Sequence, residues 1–200
     1  MNLENNNFDW PKALLDLPMA NDPGTTFACN TAATIAIGKA LENATGERLA
    51  RFADTYLFLP MQITDARWWS PNSLANGGSG LFLRTRDLAK FGQLYLDGGA
   101  WQGQQLISAD WIAESVIRRV DLSDVLTFSE GYGYQWWLDE LPYNTQLLET
   151  WVTSGYGGQY IFVIPGLELV VAFTGHNYEN VDGIRNLYTM LRFHIMAAID

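Results

Sequence analysis

From residue 131 onward the chain changes period. The runs GYGYQWWL, ETWVTSG, QYIFVIP and LELVVAFTG are rich in aromatic and β-branched residues and are separated by Gly, Pro and Asn. Such spacing predicts short strands joined as an antiparallel meander, with Pro165-Gly166 as its clearest hairpin turn. A meander of this size must bury a face. Residues 181–198 return to helical spacing through Ile184, Leu187, Leu191 and Ile195, which predicts a closing helix laid over one side of the sheet.

The first 130 residues read as helix and loop. A short helix is expected over residues 9–16, ended by Pro18, and an Ala/Ile-rich helix over 31–44, stopped by Gly46. A further helix is expected from Glu47 to just before Pro60. Residues 62–80 carry Trp68-Trp69-Ser70-Pro71 and Gly77-Gly78 and are expected to form a long loop. In residues 77–101 a glycine cluster leads into Leu88, Phe91, Leu94 and Tyr95, one apolar face of a helix. Asp87 suits the helix start and Gly98 a left-handed cap at its end. Ser108 is a candidate N-cap for a short helix beginning near Ala109. Helices first, then a meander, then a closing helix predict an α+β fold in a single domain over 1–200. In that reading 1–130 is mainly helical and loop, and 131–200 holds the strands and the last helix.

Composition narrows the function. Hydrophobic residues are 48% of 200, with 8 Trp, 9 Tyr and 10 Phe, which argues against disorder. The formal net charge is −10, so the surface repels phosphate backbones and nucleic acid is not an expected partner. No apolar run is long enough to span a bilayer, and the N-terminus is too polar and acidic for a secretory signal. The single Cys29 excludes an internal disulfide.

PGTTF with its following helix ending in ATG, LFLPMQI, WWSP, GGSGLFLRTRDLAKFGQLYLDGGAW, YGYQWW and SGYGGQYIFVIPGLELVVAFT occur in this order. Together they resemble the serine hydrolases related to class C β-lactamases, penicillin-binding proteins and their esterase relatives. The resemblance implies an incomplete β-lactamase/transpeptidase-like fold. Substrates in that family are esters, amides or β-lactams, hydrolysed through an acyl-serine with neither metal nor organic cofactor. Members often work outside the cytoplasm, and the chain's own compartment is left open.

The family's chemistry rests on three sites. The first is S-x-x-K, whose Ser is acylated and whose Lys helps deprotonate it. The sequence holds no such motif: the residues three before Lys12, Lys39 and Lys90 are Asp9, Ala36 and Asp87. The expectation is a chain that starts after the nucleophile. At the second site, the position of the family's proton-shuttling Tyr falls on Cys29, with Thr31 as the polar third residue. Cys29 is either a substitute acid/base or nucleophile, with His176 as a partner, or a small buried hydrophobe. At the third, the family's K-T-G strand reads Thr153-Ser154-Gly155. The resemblance makes these three residues substrate-binding and gives the Tyr156 backbone N–H one half of an oxyanion hole. The plain alternative is a glycine-rich turn between strands.

Trp68 and Trp69, beside the expected pocket, are the best tryptophans for ligand contact; of Trp136 and Trp137, one is expected to face inward and one outward. Ser79 lacks the frame of a nucleophile elbow. His176 and His194 are too far apart to suggest a metal pair, His194 is expected at the surface or in packing, and Lys39 and Lys90 as solvated charges. The expected function is thus the C-terminal part of such a hydrolase, inactive alone. Its expected ligand is a small acyl or peptide-like molecule, with self-association or a complementary N-terminal fragment as the expected assembly. The alternative is a non-catalytic ligand-binding module or interaction subunit that retains the pocket.

Overall fold

A computed structural model describes residues 10–69, 76–123 and 129–199. The chain packs as two compact units, Met1–Arg84 and Thr85–Asp200. The change from helix to strand near residue 130 is therefore not a packing boundary. The helices that follow Arg84 pack on the sheet formed by the later residues, and so share its unit.

The first unit opens with α1 (Trp10–Leu15), then α2 (Thr31–Thr45) and α3 (Leu49–Ala53). Asn30 caps α2 by accepting from the Ala33 N–H at 3.2 Å, and Gly46 closes it in the left-handed conformation. α3 runs on as a π-helical turn over Asp54–Phe58, so the expected single helix before Pro60 changes its hydrogen-bonding step part-way. Phe58, Met61 and Ile63 of the LFLPMQI segment are buried. The expected loop over 62–80 is not wholly irregular. It contains β1 (Arg67–Trp68), which pairs antiparallel with β2 (Leu81–Phe82). Ser70 and Pro71 lie outside the described residues.

The second unit starts with α4 (Thr85–Leu96), with Asp87 in its first turn. Two small hairpin strands follow, β3 (Ala100–Trp101) and β4 (Gln104–Gln105). At the junction, Gly99 has φ +86°, and a side chain there would collide with the Ile107 carbonyl; a residue without Cβ is required. α5 (Ala109–Ser115) is capped by Ser108, which accepts from the Trp111 N–H at 3.2 Å.

The meander comprises β5 (Val120–Asp121), β6 (Gly131–Tyr132), β7 (Trp137–Tyr143), β8 (Gln146–Gly155), β9 (Gln159–Ile164) and β10 (Leu169–Phe173). They form one antiparallel sheet in the order β10-β9-β8-β7-β6-β5. A 3-10 turn over Pro165–Leu167 links β9 to β10. The closing segment is α6 (Val181–Met190), continued by a π turn over Leu191–Ile195 and a 3-10 turn over Met196–Ala198.

Alternation along β9 explains why the sheet is covered on both sides. Tyr160, Phe162 and Ile164 join Leu141, Val152, Leu191 and Met196 in one core cluster. Ile161 and Val163 join Tyr95, Ile112, Trp136 and Leu138 in the other. The unit is a helix–sheet–helix sandwich. The expectation of one outward tryptophan is corrected here: Trp136 is buried under α4, and Trp137 packs against the cluster that the closing helix completes. Lys90 also departs from its expected solvation, because it is largely buried and pairs with Asp87 at 3.0 Å. Lys39 pairs with Glu42 at 3.1 Å on the surface.

Candidate functional site

Each unit carries its own share of the residues singled out from sequence. In the first, Cys29 is exposed, which corrects the reading of a buried small hydrophobe. It stands one residue before the Asn30 cap. Thr31 is the exposed first residue of α2. The GGSG loop is laid against the same helix end. A Cβ on Gly78 would meet Thr31 Cγ2 at 2.7 Å, and one on Gly77 would meet the Thr34 carbonyl at 3.2 Å. Two glycines let that backbone reach the helix. Ser79 is not presented as a nucleophile; its Oγ accepts from Asn76 Nδ2 at 3.0 Å within a turn that also fixes the Gly78 N–H.

β1 and β2 carry a groove of about 510 Å³, lined by Asp65, Arg67, Trp68, Trp69, Phe82 and Arg84. Trp69 is 54% exposed and Phe82 62%. Trp68 is half-buried, and its indole N–H is enclosed without a hydrogen-bond partner among the described residues, a cost of about 1–3 kcal/mol. Asp65 binds both arginines, and the Arg67 hydrogen bond, seconded by Arg84, holds its carboxyl below the usual range. Sequence reasoning selected the two tryptophans and passed over Asp65, Arg67, Arg84 and Phe82. The signal was weak: two arginines in separate segments that only the hairpin brings together.

In the second unit, Thr153, Ser154 and Gly155 are the last three residues of β8, opposite Ile161, Tyr160 and Gln159 of β9. Thr153 Oγ1 accepts from the Ile161 N–H at 3.1 Å, so one lone pair of its hydroxyl is tied into the ladder. Ser154 is exposed. Gly155 has a structural reason besides any ligand: its Cβ would lie 2.9 Å from Gln159 Cβ. The hairpin that follows has three residues, Tyr156 to Gly158, and is closed by Gly158 N–H to the Gly155 carbonyl at 3.2 Å. The Tyr156 N–H thus lies just past the paired end of β8, and its ring is 69% exposed. Tyr156 packs against Tyr178 with ring centroids 5.2 Å apart and planes tilted by 48°, and Tyr178 meets the exposed His176 edge-on at 4.7 Å. His194 is exposed on the closing segment. Among the described residues no group of His, Cys, Asp and Glu is arranged to hold a metal, and no helix is long and apolar enough to cross a membrane.

The model of the beta-lactamase family matches residues 2–192. The chain belongs to that family. The antiparallel sheet and its flanking helices are this chain's form of the family's fold. Solved structures agree on the fold. A Bacillus anthracis protein described as an inferred 6-aminohexanoate-dimer hydrolase is 21% identical with a TM-score of 0.73, covering 87% of this chain and 44% of its own. A penicillin-binding protein of Bacillus halodurans is 14% identical with a TM-score of 0.69, covering 90% and 62%. A β-lactamase of Mycobacterium bovis is 17% identical with a TM-score of 0.66, covering 88% and 65%. The chain thus spans between about two-fifths and two-thirds of these structures' lengths. No curated protein matches it in sequence.

Proposed function

We propose that this chain is the C-terminal part of a β-lactamase-related serine hydrolase and that, expressed by itself, it does not carry out acyl transfer. The observation that carries this reading is a family match over residues 2–192 in a sequence without S-x-x-K. A strand ending in Gly155, with the Tyr156 backbone N–H just past its ladder, supports the acyl-binding part of this reading. An oxyanion hole needs two such donors, and in this family the second comes from the acylated serine. Removing one member of a catalytic constellation costs orders of magnitude in rate. β10 ends the sheet with one edge unpaired among the described strands. That edge is where a complementary N-terminal segment or a second copy would add a strand.

A non-catalytic ligand-binding module is the second reading. Thr153 favours it, because a hydroxyl committed to the ladder stands where relatives place a cation. Steady-state hydrolysis of a chromogenic ester by the isolated chain tests the first reading. The rate is expected to equal that of buffer. A rate above buffer that falls with Cys29→Ala contradicts it and makes the exposed thiol the nucleophile.

A further inference from the structure

The groove on the β1–β2 hairpin has a composition that acyl transfer leaves unused. Arg67 places Nε and Nη2 on Asp65 Oδ1 at 2.9 and 2.8 Å, while Arg84 Nη2 holds Oδ2 at 2.9 Å. One carboxylate therefore carries two guanidiniums, and the hairpin sums to one positive charge in a chain of net charge −10. A guanidinium has five N–H donors in a rigid fork. Among the described residues Arg67 spends two on Asp65 and Arg84 spends one. The remaining donors belong to planes already oriented by Asp65, so less freedom is lost when a second acceptor arrives. Trp69 and Phe82 present open ring surface in the same groove.

We infer that this groove binds an organic carboxylate, with its head on the free edges of Arg67 and Arg84 and its aromatic or alkyl body on Trp69 and Phe82. Charge complementarity selects the head: the groove repels cations, and paired guanidiniums already take one carboxylate at normal distances. The volume of about 510 Å³ suits a small ligand and not a folded partner. The inference shares Trp69 with the ligand contacts expected from sequence, but uses neither Cys29 nor the Thr153–Tyr156 strand end.

Calorimetric titration of the whole chain with 4-phenylbutyrate, its uncharged amide and inorganic phosphate tests the site, with tryptophan fluorescence followed in parallel. Both arginines are exposed, so saturable binding with a Kd of about 1 mM is expected, weakening as salt rises. The amide is expected to bind at least about tenfold more weakly, and Arg84→Gln or Arg67→Gln to cost about five- to tenfold. Arg84→Lys is expected to recover part of that loss, and Trp69→Ala to weaken binding and remove the fluorescence change. Thermal midpoints of all four variants are expected to match the parent's. No saturation by about 20 mM, equal affinity for the amide, or unchanged affinity in both Gln variants overturns the assignment. Phosphate binding as tightly as phenylbutyrate overturns the part given to the aromatic wall.

Discussion

Gly92, in the middle of α4, is held to glycine by the sheet beneath it. A Cβ there would lie 2.5 Å from Val170 Cγ1 and 2.7 Å from Ile161 Cγ2, on β10 and β9. Gly92→Ala gains about 1 kcal/mol of helix propensity but brings overpacking of about 1–3 kcal/mol against two β-branched side chains. A net loss of stability is expected, read as a lower denaturation midpoint in urea. Asp139 on β7 makes a different prediction. Burial pushes its carboxyl above the usual range; Glu130 and Glu140 add to the shift, while the Glu140 N–H and Arg192 oppose it. The stability it contributes is complete below the ordinary carboxylate pKa and is lost as pH rises through the folded value. Asp139→Asn keeps an acceptor for the Glu140 N–H and removes the charge. The variant is expected to melt higher than the parent at neutral pH and to converge with it in acid, as thermal scans across pH will show.

The closing helix is the element on which one face of the sheet depends. Leu191, at the step from α6 into the π turn, is fully buried in the cluster with Val152, Phe162 and Ile164, whereas Met190 beside it is exposed. Leu191→Ala is expected to cost about 2–5 kcal/mol in chemical denaturation, and Met190→Ala within about 0.5 kcal/mol. Elements with a strong period and a cap were legible from sequence. α2 with Gly46, α4 with Asp87, α5 with Ser108 and the last three runs of the meander form where the pattern put them, whereas GYGYQWWL is divided between β6 and the start of β7. β1 and β2 were not legible, because two-residue strands are too short to show a period. Neither Trp136 nor Trp137 faces outward, because alternation reports which side a residue takes, not whether that side is covered. Of the residues proposed for the site, the strand that ends at Thr153–Gly155 was legible from the β-rich run ETWVTSG. The Asp65–Arg67–Arg84 cluster was not, since its members meet only through hairpin pairing.

At the scale of the whole molecule, two compact units divide the residues that the family's chemistry would use. Cys29 and Thr31 belong to the first, and Thr153, Ser154, Gly155 and Tyr156 to the second. The edge of β10 leads to an expected rise of sedimentation coefficient with concentration for the isolated chain. On its own, this family scaffold is expected to form no acyl-enzyme. Intact-mass spectrometry after incubation with a penicillin and with an activated ester tests it most directly. The predicted spectrum shows only the unmodified chain. A stoichiometric acyl adduct that disappears in Cys29→Ala would contradict the claim and assign the nucleophile to that thiol.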